Sequence, residues 1–351
     1  AAYNINLDMP SHKAPEDRSY KKAYKKMLWL WGLITIFVSL FIWYQLYQAL
    51  SSKKMVDNIA SRYVVITGCD TGFGNLLSKR LDIIGMNVIS GCLTDDGAKK
   101  LKGECSSRLK TIMLDVTDEI SVQKAAAIVR RELPQNTGLW GLVNNAGVMP
   151  NFAPMEMLTV DDFKAVCKVN LFGSISMSLN FLPLIRQARG RVVNVCSIVA
   201  TSAYPGLSNY CISKTGLKTF STCIRRELYR SGVTVHTINP GGFKTNITNQ
   251  TRLESIFRES FDKCSEDLKR FYGGRIAKKI ISSIGIVDTQ VSFKPHLVSD
   301  AMVHALLSQN PQRDYIVGYD ARFFFRPISI LPDIIGDFLF SWPSPYGERV
   351  M

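Results

Sequence analysis

Hydrophobic and polar positions along the chain fall into three successive patterns. The first is an uninterrupted apolar run over residues 27–52, MLWLWGLITIFVSLFIWYQLYQALSS, which carries no charge. The second begins near residue 62 and alternates short β-branched runs with longer segments whose apolar residues recur at helical spacing. RYVVITG (62–68), NVISGC (87–92), LKTIMLDV (109–116), GLVNNAG (141–147), GRVVNVCS (190–197), VTVHTINPG (233–241) and DYIVGYD (314–320) read as strands. GNLLSKRLDIIG (74–85), residues 118–133 before Pro134, residues 160–187 and residues 208–230 read as helices. Thr159 with Asp162 three residues on is a capping box for the third of these. The last pattern, FFFRPISILPDIIGDFLFSW (323–342), is apolar but broken by Arg326, Pro327, Pro332, Asp333 and Asp337.

Near-continuous apolar strands alternating with helices require a parallel sheet covered on both faces. The expected fold is therefore α/β, a Rossmann-like doubly wound parallel sheet of about seven strands over residues 60–320, preceded by a membrane-anchor helix. Residues 242–295 break the alternation. They are polar and mixed, and they follow a strand end, where such sheets bind ligands, so they read as a lid and substrate segment.

A membrane-spanning helix needs about 20 apolar residues, and residues 27–50 supply them. Trp29, Trp31, Trp43, Tyr44 and Tyr47 cluster towards the ends of the run, as interfacial aromatics do. A cleaved signal peptide would have a shorter apolar region of about 7–15 residues followed by small residues. Residues 1–26 form a basic tail with Lys13, Arg18, Lys21, Lys22, Lys25 and Lys26; Lys53, Lys54 and Arg62 follow the run. The positive-inside rule then favours a cytoplasmic N-terminus and a main domain across the membrane, with both flanks basic. The broken tail, residues 321–351, suits an interfacial helix or a helix packed on its own domain.

The net charge of +14 owes part of its size to that basic tail, which directly precedes the apolar run. An anionic membrane surface suits it better than nucleic acid, for which no recognition signature exists. The eight cysteines contain no C-x-x-C pair, and most, among them Cys92, Cys167, Cys196 and Cys211, lie inside predicted elements, so no disulfide framework is expected. His12, His236, His296 and His304 show no ligand spacing, and no metal is expected.

Candidate chemistry starts where the first strand runs into TGCDTGFG (67–74). Gly68, Gly72 and Gly74 let the backbone turn tightly and approach a pyrophosphate, with Asp70, Thr71 and Phe73 between them. The helix that starts there points its free N–H groups at the phosphates. A glycine-rich turn without a ligand is the plain alternative. A ribose 2′-phosphate needs a cation, yet no Lys or Arg lies between Asn87 and Ala98. Asp70, Asp95 and Asp96 are acidic and would accept hydrogen bonds from a free 2′-hydroxyl, so NAD is favoured and NADP stays open.

YCISK (210–214) sets Tyr210 and Lys214 on one helix face. Tyrosine's ordinary pKa near 10 is too high for a base at neutral pH. A cation about 4 Å away is worth roughly 4 kcal/mol at an effective dielectric near 20, close to the roughly three pKa units needed. Burial opposes this, so the charge of an oxidised nicotinamide would have to help. Ser197, at the end of the preceding strand, could hold a substrate oxygen while Tyr210 takes its proton and hydride passes to the cofactor. A core tyrosine and a capping serine are the plain alternatives.

Thr67-Gly68…Gly72-x-Gly74, NNAG (144–147), Asn170, Ser197 and Tyr210-x-x-x-Lys214 resemble, in order and spacing, the short-chain dehydrogenase/reductase pattern over about residues 60–320. TGCDTGFGN, CLTDDGA, GLWGLVNNAG, NLFG, YCISKTGL, RREL, PGGFKTNIT and GYDARFFFRPISILP resemble, within it, the microsomal retinol dehydrogenase and 17β/3α-hydroxysteroid dehydrogenase group. The resemblance implies that Asn144, Ala146 and Gly147 line the cofactor cleft. It implies that Asp115 and Val116 meet the adenine, and that Pro240, Gly241, Phe243 and Thr245 belong to a loop over the nicotinamide. By the same resemblance Asn170 holds a water in a proton relay to Lys214, which also binds the nicotinamide ribose. It further implies anchoring in the endoplasmic reticulum, NAD preference and a lipophilic alcohol as substrate, and it leaves a homodimer open. The chain departs in its longer N-terminal extension and in PGG (240–242), where a bulkier residue is expected after the first glycine.

The leading expectation is a membrane-anchored NAD-dependent oxidoreductase that interconverts a retinol-like or steroid alcohol and its aldehyde or ketone. A 3-hydroxybutyrate dehydrogenase-like enzyme would need a lid arginine, for which Arg252 and Arg258 are candidates. An inactive NAD-binding membrane protein is the third reading. Asn246 (N-I-T) and Asn249 (N-Q-T) are sequons that would carry sugar in a luminal domain.

Overall fold

The structure is a computed structural model that describes residues 18–51, 54–149, 153–245, 250–273, 277–282 and 292–341. The sequons at Asn246 and Asn249 lie outside the described residues. The chain divides into two compact units, Ala1–Lys53 and Lys54–Met351.

The described part of the first unit is one helix, α1 (Arg18–Ser51), of 34 residues. No proline interrupts this stretch, so the helix begins before the apolar run rather than at its edge. Leu28, Trp29, Leu33, Phe37 and Trp43 are exposed. A helix that is apolar all round needs a protein core or a bilayer around it.

The second unit is built on seven parallel strands in the order β3-β2-β1-β4-β5-β6-β7. They are β1 (Tyr63–Thr67), β2 (Asn87–Cys92), β3 (Leu109–Met113), β4 (Gly141–Asn144), β5 (Arg191–Val195), β6 (Thr234–Pro240) and β7 (Asp314–Val317). Strand side chains alternate between faces, and both faces are apolar. Val64 and Ile66 enter one core with Leu77 and Leu81 of α2 (Gly72–Ile84) and Leu101 of α3 (Asp95–Gly103). Val65 enters the other with Val122 and Val129 of α4 (Glu119–Glu132). Fully burying such side chains stabilises by about 1.5–3 kcal/mol each, which is why both faces must be covered.

The predicted helix over 160–187 proves to be three pieces. The capping box of Thr159 and Asp162 opens α5 (Val160–Cys167), a π-helical turn follows at Lys168–Gly173, and α6 (Ser174–Ala188) completes the run. The whole run Val160–Ala188 has the length and apolarity of a membrane span, yet Met177, Phe181 and Ile185 lie in the sheet core. Next comes α7 (Ser208–Glu227).

Three strands are shorter than their apolar runs suggest. β3 ends at Met113, β4 at Asn144 and β7 at Val317.

Residues 242–295 contain α8 (Gln250–Asp262), α9 (Glu266–Tyr272) and a helical stretch over 277–282. Leu253, Phe257, Tyr272 and Ile280 are buried in a third cluster with Ile198, Val199, Leu207 and Cys211, against which Tyr210 packs. The helix α10 (His296–Leu307) joins α2 on the first face. After β7 the chain makes a π-helical turn (Ala321–Phe325) and ends its described part in α11 (Asp333–Ser341).

The sheet end opposite the strand carboxyl ends is closed by stacked cations and a buried imidazole. The guanidinium groups of Arg62 and Arg191 lie over the Trp140 ring, 3.5 Å and 4.9 Å from its centre. His236 pairs Nδ1 with the Gln312 carbonyl at 2.6 Å and Nε2 with Thr234 Oγ1 at 2.8 Å.

Candidate active site

Strand order reverses between β1 and β4, and the loops leaving their carboxyl ends flank a crevice. After β1 the chain needs left-handed backbone at Gly68 (φ 69) and Gly72 (φ 67). A Cβ at Gly74 would lie 2.5 Å from both Asn145 Nδ2 and the Gly68 carbonyl oxygen, so only glycine fits. Thr71 caps α2 without a side-chain bond to its amides, which leaves the first turn's N–H groups facing the crevice. These features fit a dinucleotide pyrophosphate.

Thr67 and Asn145 tie the two loops together. Thr67 Oγ1 accepts from the amides of Asn145 (3.0 Å) and Ala146 (2.9 Å), and Asn145 Nδ2 donates to the carbonyls of Thr67 (2.8 Å) and Gly68 (3.0 Å). Asn145, rather than Asn144, braces the glycine loop. Asn144 is buried inside the sheet, where Nδ2 donates to Asn194 Oδ1 at 2.8 Å and Ser178 Oγ at 3.1 Å.

Asp70 spends both carboxylate oxygens on the turn after β2. Oδ2 accepts from the Leu93 amide at 2.9 Å; Oδ1 accepts from the Thr94 amide at 2.9 Å and its hydroxyl at 2.6 Å. Partial burial would raise its pKa, but these donors outweigh it and hold the carboxyl below its ordinary range. Asp95 is exposed in the first turn of α3. Asp115 Oδ1 accepts from the amide and hydroxyl of Thr117, both at 2.8 Å. Val116 packs against Gly173, where a Cβ would come 2.7 Å from its methyl group.

The π turn presents Asn170 to the loop after β4. Asn170 Oδ1 accepts from the Val148 amide at 2.8 Å, and Nδ2 donates to the Val148 carbonyl at 2.9 Å and to Ser213 Oγ at 3.0 Å. A Cβ on Gly147 would lie 3.2 Å from Asn170 Oδ1 and 3.3 Å from Lys214 Nζ, so both polar groups address one backbone point. Ser213 in turn donates to the Tyr210 carbonyl at 2.8 Å.

Ser197 follows β5, and its Oγ accepts from the Val199 amide at 3.4 Å. Burial of the phenol raises the Tyr210 pKa well above its ordinary value, partly offset by the nearby Ser197 hydroxyl. Lys214 is buried, and burial lowers its pKa to about 8. The structure thus brings Asn170, Ser197, Tyr210 and Lys214 together at the carboxyl ends of β4 and β5.

Pro240 ends β6, and the Gly241 amide donates to the Val317 carbonyl at 2.8 Å. Phe243 is buried and meets the Phe73 ring edge-on, centres 5.9 Å apart, so this loop lies against the glycine loop; Thr245 follows in it. Thr67, Asn145, Ser213 and Asp320 entered the sequence reading only as motif positions. Their role is to hold backbone, and only contacts between distant segments reveal that.

Residues 62–255 match the family model for short chain dehydrogenases. The chain is 42% identical to rat retinol dehydrogenase 7 over 322 residues, covering 92% of this chain and 97% of that protein. It is 39% identical to human 17-beta-hydroxysteroid dehydrogenase type 6 over 320 residues, covering 90% and 99%. A short-chain dehydrogenase from Streptomyces avermitilis has the same fold, with a TM-score of 0.63 at 22% identity over 80% of this chain and 96% of that one. The chain belongs to the short-chain dehydrogenase family. It is accordingly an oxidoreductase whose Rossmann-like domain takes a nicotinamide cofactor.

Proposed function

We propose that this protein is an NAD-dependent dehydrogenase of lipophilic alcohols, retinol-like or hydroxysteroid, with Tyr210 as general acid/base. The observation that carries the reading is the convergence of Asn170 and buried Lys214 on Gly147, with the Lys214 ammonium 5.8 Å from the Tyr210 ring centre, next to an apolar cluster formed with α8 and α9.

NAD would be held by the glycine loop, the Leu93–Thr94 turn fixed by Asp70, and the loops after β4 and β6; when bound it accepts hydride from the alcohol carbon. Ser197 orients the substrate oxygen. Tyr210 removes its proton during oxidation and returns it during reduction. Lys214 supplies positive charge near the phenol and, with Asn170, a route for protons from solvent. The acidic character of Asp70 and Asp95, with no basic residue between Asn87 and Ala98, favours NAD over NADP.

The apolar surroundings support a lipophilic substrate over a small anion. Arg252 and Arg258 of α8 are exposed, whereas Leu253 and Phe257 are buried. The retinol and hydroxysteroid dehydrogenases to which the chain is similar support the same substrate class. The exposed apolar residues of α1 support a single-pass anchor, and we place the enzyme in the endoplasmic reticulum. Exposed Phe323, Ile330, Ile334 and Phe338 support an interfacial role for the C-terminal segment.

The test is a panel of retinols, 3α- and 17β-hydroxysteroids and 3-hydroxybutyrate, each with NAD and NADP, in detergent extracts followed by absorbance of the reduced cofactor. Turnover of a retinol or steroid with NAD is expected. Turnover of 3-hydroxybutyrate alone, or none of any substrate, would overturn the reading. Sugar at Asn246 or Asn249, read as an endoglycosidase-sensitive mass, would assign the luminal face.

A further inference from the structure

The carboxylate of Asp320, just after β7, lies where three glycines converge. The Gly242 amide donates to its Oδ2 at 2.6 Å. A Cβ on Gly241 would collide with the same carboxylate. Gly318 has φ +113, and a Cβ there would lie 2.5 Å from Asp320 Oδ1 and 3.4 Å from the Phe243 ring. Gly241 is thus fitted to the position of this one side chain, and Gly318 to it and to a left-handed backbone. Gly242 is the unusual residue in PGG, and its amide is the one that Asp320 holds.

From Asp320 the contacts run towards the cofactor cleft. Gly242 leads into Phe243, buried to 2% exposure, and Phe243 meets Phe73 between Gly72 and Gly74 of the glycine loop. On the other side the loop is pinned by the Lys244 amide to the Ser292 carbonyl (3.0 Å) and the Ser292 amide to the Gly242 carbonyl (2.9 Å). We propose that Asp320 is a positioning residue that sets the 240–245 loop at the height needed to close over a bound dinucleotide. This inference rests on the dehydrogenase reading and extends it to a residue outside the catalytic group.

The test is NADH binding by fluorescence on the full chain in detergent, with thermal midpoint and tryptic cleavage at the exposed Lys244 of the cofactor-free protein as parallel readouts. Loss of a hydrogen bond to a charged group predicts that Asp320→Ala weakens NADH by about tenfold or more and raises the KM for NAD with a smaller change in kcat. The same variant should be cut faster at Lys244. Asp320→Asn keeps an acceptor for the Gly242 amide and should restore most of the affinity. Gly241→Ala should weaken NADH strongly in the unmodified protein and little in the Asp320→Ala background, because the collision partner is gone. Unchanged NADH affinity and cleavage in Asp320→Ala, or an equal cost of Gly241→Ala in both backgrounds, would overturn the proposal. So would a lower thermal midpoint without an affinity change. Failure of the unmodified protein to bind NADH would instead overturn the dehydrogenase reading beneath it.

Discussion

Lys214 Nζ lies 5.8 Å from the centre of the Tyr210 ring and donates at 2.9 Å to the Val195 carbonyl. The ammonium is thus held beside the phenol by the end of β5, not by the phenol itself. Burial acts on the pair in opposite directions, raising the tyrosine pKa and lowering that of the lysine, because both charged forms are penalised.

Replacing Tyr210 by Phe removes the proton-transfer group and keeps the ring's packing. Turnover should fall by about 10²–10⁴-fold with NADH binding nearly unchanged, as read by initial rates and by cofactor fluorescence. A Phe variant with ordinary turnover would eliminate Tyr210 as the acid/base.

Lys214 gives a pH dependence of stability with a defined sign. Its folded pKa of about 8 is below the ordinary 10.5, so between those values the unfolded chain binds more protons and stability on this account rises with pH. Below about pH 8 the buried charge costs on the order of 3 kcal/mol at most. Lys214→Met should be relatively more stable near neutrality, and its advantage should shrink from pH 8 to 10. Urea unfolding of the cofactor-free protein at several pH values measures the difference.

His236 behaves in the same sense at acid pH. Burial, partly opposed by its bond to the Gln312 carbonyl, lowers its pKa to about 4 from 6.5. The unfolded chain binds the extra proton between those values, so stability is lost as pH falls through that window. His236→Gln should show a shallower loss between pH 6.5 and 4 in thermal melts. Parallel curves for the two proteins would refute the assignment.

Asp70 fixes the Leu93–Thr94 turn by three hydrogen bonds. Asp70→Ala should raise the KM for NAD by about tenfold and narrow the preference over NADP, with kcat less affected. Steady-state kinetics with both cofactors would show this. A variant with the same KM would mean that the turn holds its shape unaided.

Ile334 and Phe338 are 78% and 56% exposed, one turn apart on α11, and Phe340 of that helix stacks on Phe325. Ile334→Glu with Phe338→Glu should reduce kcat/KM for a vesicle-borne retinol or steroid several-fold, while a short water-soluble alcohol is turned over as before. Equal effects on both substrates would point to damage in the folded domain instead.

Periodicity made the sheet legible because a strand buried on both faces must be apolar throughout and each helix must carry a stripe. Val64, Val65 and Ile66, or Leu77 and Leu81, can be placed without coordinates. The glycine loop and the Tyr210–Lys214 spacing were legible for a similar reason: their chemistry is local in sequence. The helix Asp95–Gly103 is short and polar, and its start is set by Thr94, whose hydroxyl is itself held by distant Asp70. The π turn at Asn170 is invisible to periodicity, since it inserts no unusual residue. Leu253 and Phe257 sit among charges, so their burial against the Tyr210 helix emerges only on packing.

The sequence by itself determined the seven strands and their alternation with the main helices, the apolar N-terminal run and the candidate residues for proton transfer. Only tertiary structure decided which asparagine braces the glycine loop, where the carboxylate of Asp70 is spent, and that Asp320 meets Gly241 and Gly242. The physical reason is that periodicity and short spacings are properties of one segment. A hydrogen bond between residues 70 and 94 or 242 and 320 exists only once the sheet has brought those strand ends together.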